Sequence, residues 1–129
     1  MNTNTTSTAE RTAALVDAYY ESWQGGIASF DEGRVRGLLA PDLAFDGPIA
    51  GRRTGAEPFL QGLARFVSTI TAFHPLQQVR TATEAAALYD CELPGGRVRF
   101  AEFLRTDGDR IQAITLVYDA GEFQRRSGG

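Results

Sequence analysis

The sequence predicts an α+β domain, with helices in its first half and an antiparallel sheet in its second. Two observations carry that prediction. Within the first 60 residues, three segments open with Ser or Thr followed three positions later by Glu: Ser7/Glu10, Ser29/Glu32 and Thr54/Glu57. In that spacing the hydroxyl accepts a first-turn N–H while the Glu reaches back to the cap. From Glu84 to Asp119, three alternating stretches are joined by the short turns "PGG" and "TDGD", the pattern of a meander. Grouped helices beside grouped strands place the helices over one face of the sheet.

The first helix runs from its Ser7 cap to about Gln24 and ends at Gly25-Gly26. Leu15, Tyr19 and Trp23 recur every four residues, with Val16 and Tyr20 alongside, so this face turns inward. The second covers roughly residues 30–39 and stops before Pro41. The third covers roughly 56–70, with Phe59, Leu60, Leu63, Phe66, Val67 and Ile70 as its buried stripe. A short strand, "DLAFDGP", is broken by Gly47-Pro48. A second, "AFHPLQQVRTAT", contains Pro75, which confines its start to an edge or a bulge. "EAAALYDCEL", "RVRFAEFLR" and "RIQAITLVYD" complete the sheet. Residues 1–129 read as one domain, with 1–7 and 124–129 expected to fray.

A two-residue Gly95-Gly96 loop would pair Tyr89 with Glu102, Cys91 with Phe100 and Glu92 with Arg99. Both faces are then chemically consistent, which a one-residue slip would destroy. In the last hairpin an odd-length loop sets Ile114, Leu116 and Tyr118 beside Glu102; an even one sets Ala113, Thr115 and Val117 there. Both sides of that strand are fairly apolar, so the outer face is expected to be covered, as in a homodimer joined through the sheet.

The bulk composition excludes several classes. The chain has 129 residues, 43% of them hydrophobic, and a net charge of −3, so no basic footprint points to nucleic acid or an anionic membrane. Cys91 is alone, which excludes an internal disulfide, and His74 is the single histidine, which excludes a His-rich metal site. No metal and no cofactor is expected. The opening "MNTNTTSTAERT" has no apolar stretch of the kind a signal peptide carries, and no apolar run approaches membrane-spanning length. A cytoplasmic protein is expected.

Chemistry enters at "RVRFAEFLR". With a period of two, one side carries Val98, Phe100, Glu102 and Leu104, so an otherwise oily face holds one carboxylate. Desolvation there would raise its pKa toward neutrality, where proton transfer is useful. The alternative is a structural acid bonded to Tyr89 or to an arginine. Cys91 reads as an inert buried thiol, Asp90 and Glu92 as solvated ion-pair partners on the arginine face, and His74, at the passage from helix to strand, as a base or as a structural or exposed side chain.

In order and spacing, "AYYESW", "LLAPDLAFDGPIAGRRTGAEPFL", "ALYD", "AEFLRTDGDRI" and "VYDAGEF" resemble the nuclear transport factor two-like (NTF2-like) superfamily over residues 15–123. That superfamily includes ketosteroid isomerases, SnoaL-like polyketide cyclases and limonene epoxide hydrolases. The resemblance implies a cone: a curved antiparallel sheet wrapped around three N-terminal helices, with a deep apolar cavity open at one end. It also implies positions for chemistry. The oxyanion tyrosine of the first helix falls on Tyr19, the protonated acid on Glu102, and the base before the proline on Gly47, with Asp46 one residue away. The catalytic candidates are therefore Glu102, Tyr19 and Asp46. Trp23, Phe59, Phe66, Tyr89, Phe100, Leu116 and Tyr118 are candidates for the cavity wall around an apolar small-molecule substrate. The expected reaction is cofactor-free cyclisation, isomerisation or epoxide hydrolysis; the rival expectation is a non-catalytic binding or dimerisation module.

Overall fold

Ser7 opens the first helix as its spacing predicts. Its hydroxyl accepts the Glu10 N–H at 3.1 Å and the Glu10 carboxylate accepts the Ser7 N–H at 3.0 Å, which starts α1 (Thr8–Glu21). The structure, a computed structural model, describes residues 7–128; the expectation that residues 1–6 and 129 fray falls outside them.

The other two expected caps are replaced by their neighbours. Helix α2 (Glu32–Leu38) is capped by Asp31, whose carboxylate accepts the Arg34 N–H at 3.0 Å, while Ser29 closes a separate 3-10 turn, Ile27–Ser29. Asp31 sits directly before the first helical residue, where a capping side chain has to be. Thr54 is not a cap either, because it is claimed by strand pairing. It ends β2 (Gly51–Thr54) opposite Ala44 of β1 (Leu39–Gly47). Gly55, at φ 116°, then turns the chain into α3 (Ala56–Thr69), which has no side-chain cap.

Strand β3 (Ala72–Arg80) lies at a sheet edge, with a register irregularity between Pro75 and Gln77, as a proline without an N–H demands. Strands β4 (Glu84–Leu93), β5 (Gly96–Thr106) and β6 (Ile111–Val117) form the expected meander. The sheet order is β2-β1-β6-β5-β4-β3, open at both edges. It is mixed and not wholly antiparallel: β1 runs parallel to β6, which the long crossover through α3 and β3–β5 permits. Strand β2 went unforeseen because "GRRT" has no apolar alternation; it is an edge strand with exposed side chains.

The β4–β5 register differs from expectation by two residues. Leu93 opposes Gly96, so Pro94 and Gly95 form the turn, Tyr89 faces Phe100, Asp90 faces Arg99, and Glu102 faces Ala87. A shift of two leaves every side chain on its expected face. Burial along β5 alternates strictly from Arg97 to Thr106, with Glu102 on the inner side. At the next hairpin Glu102 lies beside Leu116, the odd-loop alternative.

A fourth helix, α4 (Ala120–Arg126), follows β6, so residues 124–126 are helical where fraying was expected. Asp119 caps it by accepting the Glu122 N–H at 2.9 Å. At the opposite end of the sheet, Thr12 of α1 hydrogen-bonds the Ala82 carbonyl and the Thr106 hydroxyl, both at 2.6 Å, tying helix to sheet. No helix among the described residues is long and apolar enough to cross a membrane.

Candidate active site

Helix α1 and strands β4 and β5 converge on Glu102. Tyr19 and Tyr20 lie on the inward face of α1, and adjacent helical positions point about 100° apart. A carboxylate has two oxygens, and here both tyrosines find one. The Tyr19 hydroxyl donates to Oε2 at 2.8 Å, and Tyr20 donates to Oε1 at 2.8 Å. The Tyr89 hydroxyl, diagonal to Glu102 across the ladder, donates to Oε1 at 2.8 Å. The resemblance gave a role to Tyr19 alone; the second oxygen of the carboxylate is what recruits Tyr20.

Glu102 is 2% exposed, and Tyr19, Tyr20 and Tyr89 are as deeply buried. Burial pushes the Glu102 pKa above the ordinary carboxylate value, against the three hydroxyls that favour the ion. The tyrosines are displaced in the same upward direction, by burial first and by the neighbouring carboxylate second. The site therefore holds its protons tightly. Among the described residues no guanidinium pairs with Glu102: Arg99 pairs instead with Asp90 on the outer face, at 2.9 Å, and holds that acid below its usual range.

Around this cluster the aromatic candidates are in contact. Trp23 lies 5.9 Å from Tyr19, 5.8 Å from Phe66 and 6.0 Å from Tyr89, ring centre to ring centre. Phe100 stacks on Tyr89 at 5.6 Å and meets Tyr118 at 5.0 Å; Phe59 lies 6.5 Å from Tyr19. Leu116 packs against the same core. Rings occupy the interior where the resemblance implies a deep cavity. Phe73 of β3 and Phe123 of α4 complete this layer and were not foreseen. The Asp119-x-x-Glu122 spacing, a capping pattern before Phe123, was the available signal for the latter.

The Trp23 indole N–H is buried without a hydrogen-bond partner among the described residues. It faces the Tyr19 hydroxyl, where it opposes the upward shift, but does not reach hydrogen-bonding geometry.

The structure does not bring Asp46 to this cluster. Phe45 takes the inward position on β1, its ring 5.2 Å from Phe59, so Asp46 turns outward. There it stands about half exposed, 3.7 Å from Arg52, in a groove of about 340 Å³ on the outer face. Gly47 is buried; a Cβ there would come within 2.9 Å of the Phe45 ring. His74 bonds Glu92 on the outer face. Cys91 is fully buried, and burial pushes its thiol up to about 12. No cluster of three His, Cys, Asp or Glu among the described residues is arranged to hold a metal ion.

A six-stranded mixed sheet backed by helices is an architecture that solved structures share. A Kribbella flavida protein superposes with a TM-score of 0.78 at 25% identity, over 88% of this chain and 90% of its own. An NTF2-like protein of unknown function from Burkholderia pseudomallei matches with a TM-score of 0.72 at 16% identity, over 92% and 98%. A steroid delta-isomerase from Pseudomonas aeruginosa matches with 0.76 at 18% identity, over 92% and 86%. No family model matches the sequence, and no curated protein does. These likenesses show the fold: the chain has the architecture of the NTF2-like proteins among the solved structures.

Proposed function

We propose that this protein is a cofactor-free enzyme acting on an apolar small molecule, in the manner of a cyclase, isomerase or epoxide hydrolase, with Glu102 as its acid. The observation that carries this reading is a fully buried carboxyl group whose pKa is raised and whose oxygens meet three phenols. Such a group costs several kcal/mol to hold as an ion in an apolar interior, so the neutral acid gains at its expense. The ketosteroid isomerases work with an acid kept neutral in this way, and a steroid isomerase is among the structural relatives.

The proton inventory makes the chemistry specific. When Glu102 is ionised, all three hydroxyl protons point at it and none is left for a substrate. When Glu102 is protonated, its own O–H can be given to Tyr19, and the Tyr19 proton is released toward a substrate oxygen. The substrate oxygen gains a proton, Tyr19 gains one from Glu102, and Glu102 becomes the carboxylate. In a water-poor surround each of these hydrogen bonds is strengthened at the reacting centre. Trp23, Phe59, Phe66, Tyr89, Phe100, Leu116 and Tyr118 would hold the apolar body of the substrate.

The test is turnover of a panel of terpene epoxides, steroid enones and polyketide aldehydes by wild type, Glu102→Gln and Tyr19→Phe. Loss of turnover in both variants with circular dichroism intact is expected. Unchanged turnover in Glu102→Gln overturns the assignment.

A second reading, a non-catalytic module that binds or dimerises, has its own observation. Asp46 faces outward and Gly47 is bare, so among the described residues Glu102 is the one carboxylate on the inner face and neither position supplies a second base. On this reading the outer face of the sheet is the working surface. Val79 of β3, Phe103 of β5 and Val117 of β6 stand 50–55% exposed there, with Ala86 of β4 between the first two. Beside them Glu92, Arg97 and Arg99 are partly exposed around a buried Asp90, a patch of both signs. An apolar strip flanked by mixed charge suits a second copy related by a twofold axis, since each sign meets its opposite. The homodimer is compatible with both readings.

A further inference from the structure

We propose that the Trp23 indole N–H is the recognition donor for an apolar ligand carrying a single acceptor oxygen, and that such a ligand reaches it by displacing Phe123 of α4. This rests on the reading that the interior takes an apolar small molecule, but not on any turnover.

Three observations converge. First, Trp23 is 1% exposed and its Nε1 has no partner among the described residues. A buried donor left unmatched is costly, so an acceptor brought to it gains more than the same acceptor would at the surface. The nearby protein oxygen, Tyr19 Oη, is held toward Glu102 by its own hydrogen bond and does not meet the indole in bonding geometry.

Second, the path from Trp23 to the surface is made of movable rings. Trp23 touches Phe66 and Phe73; Phe66 in turn stacks on Phe123 at 6.2 Å, and Tyr118 meets Phe123 at 5.4 Å. Phe66, Phe73, Tyr118 and Phe123 are all only partly buried, unlike the rings behind them.

Third, α4 is short and is held by the packing of Phe123 on Phe66, Phe100 and Tyr118 and by one backbone hydrogen bond at its end. It is seven residues long and contains no buried residue. Its last turn is fastened to the β4–β5 turn by the Gly95 N–H, which donates to the Arg126 carbonyl at 2.6 Å. Gly95 fits because it has no side chain: a Cβ there would lie 2.8 Å from both the Cα and the carbonyl oxygen of Arg126. The backbone of Gly95 itself has no positive φ, so alanine is disfavoured only by the nearness of α4. An apolar cavity the size of a removed large side chain, about 150 Å³, accepts a benzene-sized guest. Phe66 stands between Phe123 and Trp23, so withdrawal of Phe123 lets Phe66 turn aside, and the two movements together make room for a small ring compound whose oxygen points inward.

Trp23 is the single tryptophan, so the full-length 15N-labelled protein has one indole N–H resonance that reports this atom alone. The experiment titrates acetophenone against it, with ethylbenzene as the matched probe lacking the oxygen. A saturable downfield shift of the indole proton with acetophenone, and not with ethylbenzene, is expected. Gly95→Ala and Phe123→Ala each raise the population open to ligand, and acetophenone should bind each about fivefold tighter. Trp23→Phe should erase the preference for the ketone. An unmoved indole resonance at saturating ketone overturns the proposal, as do equal shifts with both probes or unchanged affinity in both opened variants. Binding without turnover refutes the enzyme reading and leaves this one standing; turnover with an unmoved indole resonance does the reverse.

Discussion

Ala87, and not a large side chain, lies directly across the β4–β5 ladder from Glu102. Its methyl group leaves the carboxyl the space in which Tyr19, Tyr20 and Tyr89 converge. Had the turn been Gly95-Gly96, Tyr89 would stand opposite Glu102 instead of diagonal to it. The observed geometry lets the phenol reach across with its ring stacked on Phe100.

That relationship predicts the effect of filling the space. Ala87→Leu forces a bulky side chain into the centre of the hydrogen-bonded cluster, and overpacking of this kind costs about 1–3 kcal/mol. Urea unfolding should show the unfolding free energy falling by that amount, with a correspondingly lower midpoint. Ala85→Leu, on the same strand face opposite Leu104, gives the comparison without a polar cluster.

The pH dependence of stability follows from the direction of the Glu102 shift. Its folded pKa is raised above the ordinary value of 4.5, so the folded state binds this proton more tightly than the unfolded chain does. The associated stability is fully present below about 4.5 and is lost as pH rises through the folded value. Exposed carboxylates such as Glu92 and Asp107 are lowered and act in the opposite sense, losing their contribution as pH falls. The difference between wild type and Glu102→Gln cancels those. Unfolding free energies of the pair should favour wild type most near pH 4.5 and converge or cross as pH rises; a flat difference would contradict the buried-acid assignment.

Cys91 is buried on β4, and its thiol is pushed up to about 12. The thiolate is the reactive form, so the native protein at pH 8 should resist iodoacetamide. Modification should follow unfolding, read by intact mass in increasing urea. Prompt alkylation of the native chain would contradict the burial.

The outer sheet face predicts an association phenotype. Phe103→Arg places a charge in the middle of the exposed apolar strip and should convert the proposed homodimer to monomer in sedimentation velocity. Glu102→Gln should leave the dimer intact, because that side chain faces the other way.

Asp46 supplies a negative control. It lies on the outer side of β1 beside Arg52, so Asp46→Asn should leave any interior binding or turnover within about twofold of wild type. A large loss would mean that the outer groove, and not the tyrosine cluster, is the working site.

The sequence by itself determined which face each strand residue takes. Strict alternation along Arg97–Arg105 put Glu102 inside, and that answer survives a two-residue error in the turn because side-chain direction has a period of two. It also determined α1, the edge position of β3 at Pro75, and the meander. Only the tertiary structure decided what Glu102 meets there. That Tyr20 joins Tyr19, that Asp46 turns outward behind Phe45, that β1 runs beside β6, and that α4 closes over Phe66 and Phe100 all depend on contacts between residues far apart in the chain. Local periodicity sets direction, but partners are set by how helix and sheet dock, and no short stretch of sequence carries that information.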